Sequence, residues 1–234
     1  GVSLRLLHLP TAELRTDFTL RYDQTDERGY PYQYNGPLTD DGGRFDHLIG
    51  KISNNRPHGY RRDLVNAAAH IQWQADAFTL SSVSSYQWLT DDMRIDQDFL
   101  ADDIFTLRQR QRIHTLNQEL TLKSPTRQRW QWVTGLSGML QWTRADAPVD
   151  FYTDGVKMIQ QAMDEGMKDA PVRVQLTDEH LHIPGLFHTP VRSIALFHQS
   201  DIRLTERLTL TAGLRLDHER QAIDYDTRTT VNTL

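Results

Sequence analysis

Apolar and polar side chains alternate with a period of two in eight segments: residues 2–8, 14–24, 65–74, 78–89, 113–124, 129–143, 191–202 and 207–221. Successive side chains of a β-strand point to opposite faces, so this period predicts strands with one apolar and one polar face. In the last segment, Leu214 and Leu216 share one face, whereas Arg215 and Asp217 share the other.

Short and long connections between these segments follow each other in strict alternation. The short ones are 10–13, 75–77, 124–128 and 205–207, and the long ones are 25–64, 90–112 and 144–190. An outer-membrane barrel has tight periplasmic turns and long extracellular loops, whereas a soluble sandwich has no reason to keep its long loops at one end. The alternation therefore predicts a transmembrane β-barrel.

One long loop contains a predicted helix over residues 156–169, where apolar residues recur at helical spacing. The predicted fold is thus all-β: an antiparallel meander of about eight strands from a transmembrane barrel, with long outer loops and one short loop helix. We expect Leu208, Leu210, Leu214 and Leu216 to face lipid, with Arg215 and Asp217 inward.

Composition excludes several classes of protein. The chain has 26 Lys plus Arg against 31 Asp plus Glu, a net charge of -5, and no clustered basic face for nucleic acid. It has no cysteine, which excludes disulfides and thiolate metal sites. The mean hydropathy of -0.59 and the lack of a long apolar run exclude a transmembrane helix but suit a barrel, in which only alternate strand residues meet lipid.

Four stretches carry a resemblance to a known family. Residues 193–219, "SIALFHQSDIRLTERLTLTAGLRLDHE", resemble the hairpin shared by TonB-dependent receptors. The matching positions are Phe197, Gln199, Leu204, Thr205, Leu208, Gly213, Leu214 and Arg215. Residues 114–125 resemble the "Q-E-L-R-L-S-S-P" strand of that family, residues 129–136 its "W-V-A-G-L" partner, and residues 80–92 its "S-I-T-S-Y-R" strand. The chain as a whole is most similar to siderophore receptors of the pesticin/yersiniabactin type.

The resemblance implies a bacterial outer-membrane receptor that takes up a scarce ligand, a ferric siderophore, with energy from TonB. Such receptors have about 22 strands around a plugged lumen. No plug domain, TonB box or export signal is present, so residues 1–234 are expected to be a partial barrel cut from a longer or processed chain. The partners implied are the siderophore, TonB through the absent plug, and outer-membrane lipid. Two alternatives stay open: a small closed barrel acting as a pore or anchor, and a soluble antiparallel binding module.

The candidate ligand-binding residues lie in the first long loop, where Tyr30, Tyr32 and Tyr34 alternate between Arg28 and Arg44. Aromatic rings and guanidinium groups together suit an anionic, aromatic iron–siderophore complex. The competing interpretation is an extended loop segment or an aromatic girdle at the outer interface.

Other chemistry-bearing patterns favour structural roles. His180 and His182 form an H-x-H pair without a third ligand nearby, and the paired carboxylates, such as Asp91–Asp92, suit solvation better than calcium or cation bridges to lipopolysaccharide. The five tryptophans lie near predicted strand ends, as in aromatic girdles. Ser84 and Ser85 have no evident partner and no catalytic motif appears, so we expect no enzyme, no cofactor and no metal.

Overall fold

The computed structural model describes residues 1–29, 32–36, 43, 45–126 and 128–229. They form one antiparallel sheet, and its eight long strands pair in their order along the chain. The long strands are β1 Val2–His8, β2 Leu14–Glu27, β3 Gly59–Gln74, β4 Thr79–Asp96, β5 Phe105–Lys123, β6 Trp130–Asp146, β9 Leu186–Arg203 and β10 Thr209–Gln221. The predicted meander is confirmed, because every long strand pairs with the next long strand along the chain. Between β6 and β9 the chain forms a long loop that contains the shorter elements described below.

The shorter elements lie at the long-loop end. They are a 3-10 turn Asp46–Leu48, β7 Val149–Phe151, α1 Thr153–Gly166, β8 Leu181–Ile183 and β11 Asp224–Asp226. β7 and β8 pair with each other although α1 lies between them in sequence, β7 also pairs with the first residues of β5, and β11 continues the β10 pairing along β9. The loop helix begins and ends three residues earlier than predicted. In the described part of the chain, no helix is long and apolar enough to cross a membrane.

Six of the eight long strands are longer than the alternation predicts, and nearly all of the extra residues lie at the long-loop ends, whereas β1 has the predicted bounds and β10 begins two residues later than predicted. β4 and β5 continue until only residues 97–104 connect them, so the predicted loop over 90–112 is mostly strand. These extensions carry polar residues on both faces, which hides the period of two. Cross-strand ion pairs stabilise them, as where Arg108 Nε donates to Asp92 Oδ1 at 2.9 Å.

The strands pair in unbroken register, so residues that lie opposite each other form rows that stay on one face across the sheet. One row across the apolar face consists of Leu4, Leu20, Ala67, Tyr86, Leu116 and Leu140. The adjacent row on the other face consists of Thr19, Ala68, Ser85, Asn117, Met139, Ser193 and Glu219. The sheet therefore has an apolar face and a mainly polar face, as predicted.

Burial shows which face is the inside of the curved sheet. Thr115, Thr121, Val191 and Ala195 belong to the polar face and are buried. Leu196 and Leu214 belong to the apolar face and are 55% and 67% exposed, with no second layer over them. A soluble protein would cover such a face, so these leucines face lipid as predicted.

Candidate functional site

Three long connections, residues 28–58, 97–104 and 147–185, leave the sheet at one end, and their described residues pack together there; we call these residues the outer loop cap. Its centre is a cluster of Leu48, Leu100 and Ile104, which are buried, with Tyr34, Phe45 and Phe105 packed around them. Among the described residues, most of the buried apolar side chains lie in this cap, because neither face of the sheet is covered by another layer. The cap is therefore an ordered structure formed by loops.

Two carboxylates at the turn between β4 and β5 accept backbone N–H groups of the cap, Asp96 from the connection between β2 and β3 and Asp98 from the turn itself. Asp96 is fully buried, and its Oδ2 accepts the backbone N–H groups of Asn55 at 2.9 Å and Arg56 at 3.1 Å. Asp98 accepts the N–H groups of Leu100 at 2.8 Å and Phe105 at 3.0 Å, and burial raises the pKa of its carboxyl. These bonds satisfy backbone donors that no strand partner reaches.

Arg56 ties all three loops together. Its Nε and Nη2 donate to the two carboxylate oxygens of Asp103 at 2.7 and 2.6 Å, and this hydrogen bonding raises the pKa of Arg56. Its guanidinium lies 3.7 Å from the ring centroid of Tyr152, a cation–π contact. Asp103 in turn donates its backbone N–H to Asp154 at the start of α1, at 3.1 Å.

An aromatic and imidazole cluster extends this network. The rings of Tyr152 and His180 stack with centroids 5.2 Å apart. His180 Nε2 and His182 Nδ1 lie 3.1 and 2.8 Å from the same oxygen of Asp150. The H-x-H pair thus shares a carboxylate of the neighbouring strand β7, and the described residues contain no group of three side chains arranged to hold a metal ion.

The predicted ligand-binding residues have different settings. Tyr32 is 48% exposed, and its ring lies 4.8 Å from that of Phe99. Tyr34 packs against the centre of the cap, and its backbone pairs with Lys51 and Gly50. Arg28 is exposed at the end of β2 and has no ion pair or hydrogen bond with the described residues. Tyr30 and Arg44 lie outside the described residues.

Several residues of the cap have no signal in the sequence that would have marked them. Phe99 has φ 57°, the left-handed conformation that aromatic residues rarely adopt. It contacts the rings of Tyr32 and of His58, the latter with centroids 6.4 Å apart. Such backbone strain is found at binding sites, where the surrounding structure holds it in place. Arg56 and Tyr152 likewise meet only through tertiary packing.

The inner face carries the mixed charge that the sequence predicted. Arg21 pairs with Asp23 at 2.6 Å and Arg215 with Asp217 at 2.8 Å. Arg15 lies 3.5 Å from Asp17, and Arg5 also bonds that carboxylate, through Nε at 2.8 Å. These pairs make the inside of the curve hydrophilic, so it suits water or a polar domain.

An antiparallel sheet with an uncovered apolar face, a charged inner face and long loops at one end is the wall of an outer-membrane barrel. The family model described as "TonB dependent receptor-like, beta-barrel" matches residues 11–233, and the chain belongs to that family. It is therefore a bacterial outer-membrane protein of a transport family and not an enzyme. No curated protein matches the sequence.

A solved structure shows the same fold. The crystal structure of the ferric yersiniabactin uptake receptor FyuA from Yersinia pestis superposes with a TM-score of 0.67 at 13% sequence identity. The match covers 99% of this chain and 33% of that receptor, so this chain spans about a third of its length.

Proposed function

We propose that this chain forms part of the wall and outer loops of a receptor that takes up a ferric siderophore across the outer membrane, energised through TonB. The outer loop cap is the observation that carries the proposal. A passive pore needs a wall, whereas a receptor also needs an ordered surface above the wall to recognise a ligand. In FyuA the same fold belongs to an uptake receptor for ferric yersiniabactin.

The chemistry of the cap suits an anionic, aromatic metal complex. Tyr32 offers exposed aromatic surface beside the half-buried ring of Phe99, and Arg28 offers a guanidinium with no ion pair or hydrogen bond to the described residues. We propose Arg28 and Tyr32 as ligand contacts, together with Tyr30 and Arg44 of the same loop. Tyr34 has a positioning role, because it anchors that loop in the centre of the cap.

The open sheet supports a place in a larger barrel. Among the described residues, β1 pairs only with β2, and β10 pairs only with β9. Backbone N–H and C=O groups cannot stay unpaired in hydrocarbon, so both free edges need further strands. We propose that residues 1–234 are a partial barrel and that a plug and more strands complete the receptor.

The two alternative functions fit the structure less well. A small closed barrel requires β1 to pair with β10, and the sheet is open there. A soluble binding module requires a cover over the apolar face, and the leucines of that face are exposed.

Uptake of radioactive iron as a ferric siderophore tests the proposal in cells that carry the receptor containing this chain. We expect uptake to require both the receptor and TonB, and Tyr32→Ala to weaken ligand binding about tenfold through loss of the aromatic contact. Lys168→Ala, near the end of the loop helix, is the matched loop control and should bind normally. Uptake that persists without TonB would contradict the energised mechanism, and normal binding by Tyr32→Ala would remove that residue from the site.

A further inference from the structure

An asparagine followed directly by a glycine occurs in the first long loop of the cap, at Asn35 and Gly36. Asn35 is exposed, and Gly36 has φ 118°, a conformation that residues with a side chain rarely adopt. No atom lies within 4 Å of the place where a Cβ of Gly36 would stand. The backbone after Asn35 is therefore open to solvent and free of steric hindrance.

The backbone nitrogen of Gly36 is available for a reaction. Its N–H makes no hydrogen bond with any residue that the structure describes. The asparagine at position 55 is a contrast, because the N–H that follows it, that of Arg56, donates to Asp96 at 3.1 Å. A nitrogen held in such a bond cannot turn toward the preceding side chain, whereas the nitrogen of Gly36 can.

The side-chain amide of Asn35 is activated by a neighbour. Gln33 Nε2 donates to Asn35 Oδ1 at 3.1 Å. A hydrogen bond to a carbonyl oxygen withdraws electron density from its carbon, and it stabilises the negative charge that the oxygen gains when a nucleophile adds. Gln33 therefore makes Cγ of Asn35 a better electrophile, next to a nitrogen that is free to attack it.

We propose that Asn35 is a site of spontaneous deamidation. The nitrogen of Gly36 attacks Cγ of Asn35 and closes a succinimide ring, while the bond from Cγ to Nδ2 breaks. Nδ2 leaves as ammonia with the proton that the Gly36 nitrogen has lost. Water then adds to either carbonyl of the ring and opens it to aspartate or isoaspartate. Glycine favours the ring closure because no Cβ hinders the approach of its nitrogen.

The product changes the loop in two ways. A neutral amide becomes a carboxylate, and isoaspartate also routes the main chain through the side-chain carbon, which lengthens the backbone. Tyr34, directly before it, is anchored in the cap: its N–H donates to Lys51 O at 3.1 Å, and its carbonyl oxygen accepts from Gly50 N at 2.8 Å. Deamidation therefore places a negative charge and a longer backbone beside the anchor of this loop.

Peptide mapping of the purified receptor containing this chain tests the proposal. The receptor is incubated for days in buffer, and mass spectrometry counts Asn35 peptides in which the amide NH2 has been replaced by OH. Labelling by an isoaspartyl methyltransferase counts the isoaspartate. We expect conversion at Asn35 and not at Asn55, and faster conversion at mildly alkaline than at mildly acidic pH, because the attacking nitrogen must lose its proton. An unconverted Asn35, or equal conversion of Asn55, would overturn the proposal.

Two variants test the chemistry of the step. Gly36→Ala should almost abolish conversion, because a Cβ hinders the attack. Gln33→Ala should slow it about fivefold, which corresponds to the loss of one hydrogen bond of about 1 kcal/mol. Gln161→Ala, which removes an exposed glutamine of α1, is the matched control and should convert like the parent. Full conversion in Gly36→Ala would overturn the succinimide route, and full conversion in Gln33→Ala would overturn the activation by Gln33.

The consequence for ligand binding rests on the proposed function and is measured separately. Tyr32 and Arg28 belong to the same loop, so a new carboxylate should repel an anionic ferric siderophore. Asn35→Asp should weaken its binding about twofold to threefold, the effect of one added charge in a wet site. Normal binding by Asn35→Asp would overturn this consequence, whereas the mass measurement above decides the modification site whatever the ligand is.

Discussion

At the residue scale, the alternation of faces assigns each side chain in β10 to lipid or to the lumen. Leu214 lies on the apolar face and is 67% exposed, and Arg215 lies on the inner face in contact with Asp217. Leu214 is also close to the middle of the apolar band, where no water can solvate a charge. The two neighbouring positions therefore have opposite tolerances for charge.

Leu214→Arg and Arg215→Leu test this assignment as a matched pair. A cation on the lipid face costs about 2–4 kcal/mol at the midplane, so Leu214→Arg should sharply lower the yield of assembled receptor. Arg215→Leu removes an exposed ion pair in a wet lumen and should assemble almost normally. Equal yields of the two variants in outer-membrane fractions would refute the assignment of faces.

Gly135 is a second residue whose role depends on its face. It lies opposite Phe197 on the inner side, where an added Cβ would come within 2.3 Å of the Phe197 ring and 2.8 Å of the carbonyl oxygen of Leu120. Gly138, on the lipid face, has only the carbonyl oxygen of Ser193 at an ordinary 3.6 Å. The inner face of this strand is therefore closely packed and the outer face is not.

Gly135→Ala should destabilise the barrel by about 1–3 kcal/mol because it overpacks the inner face. Gly138→Ala is the control and should be close to neutral. The midpoint of urea unfolding for the assembled receptor measures both, and Phe197→Leu combined with Gly135→Ala should recover part of the loss. A neutral Gly135→Ala would show that the strand can shift to make room.

At the scale of elements, a few polar residues hold the outer loops together. We call such a residue a hub when it contacts side chains from several loops. Arg56, Asp103 and Tyr152 come from the three different connections and meet in one network. Arg56 is only partly exposed, so its bonds are less screened than those of a surface ion pair. The cap should therefore loosen as a unit when this hub is removed.

Arg56→Ala should cost the cap about 1–2 kcal/mol of local stability and leave the strands intact. Hydrogen exchange should accelerate in residues 99–104 and 152–156, with no change in β5 and β6. Arg173→Ala is the control, since this exposed loop arginine makes no ion pair or hydrogen bond with the described residues. Faster exchange confined to Asp103 and its immediate neighbours would contradict a shared hub.

At the scale of the whole molecule, the sheet formed by the described residues is open, with unpaired edges at β1 and β10. Disulfide formation reports on this in the assembled receptor. Leu4 is directly opposite Leu20, so Leu4→Cys with Leu20→Cys should cross-link on mild oxidation. Leu4→Cys with Leu216→Cys should stay reduced, because those strands lie at opposite edges. Cross-linking of the second pair within one molecule would favour a small closed barrel.

The sequence by itself determined the strand order, the two faces and the side of the long loops. The apolar period of two is a local consequence of lipid on one side and water on the other, so it can be read without the fold. It failed where both faces become polar, which is why Arg61 and Arg110 were expected in loops and lie in strands.

Only the tertiary structure decided the interior of the cap and which residues lie opposite each other in the sheet. Arg56, Asp103 and Tyr152 are far apart in the chain and form no periodic pattern, so their meeting depends on how three loops pack. Arg112 and Arg144 become opposite neighbours only through the register of β5 and β6, and a shift of one residue would place one of them inside. Periodicity fixes which face a residue takes, but pairing and packing fix which residues it meets.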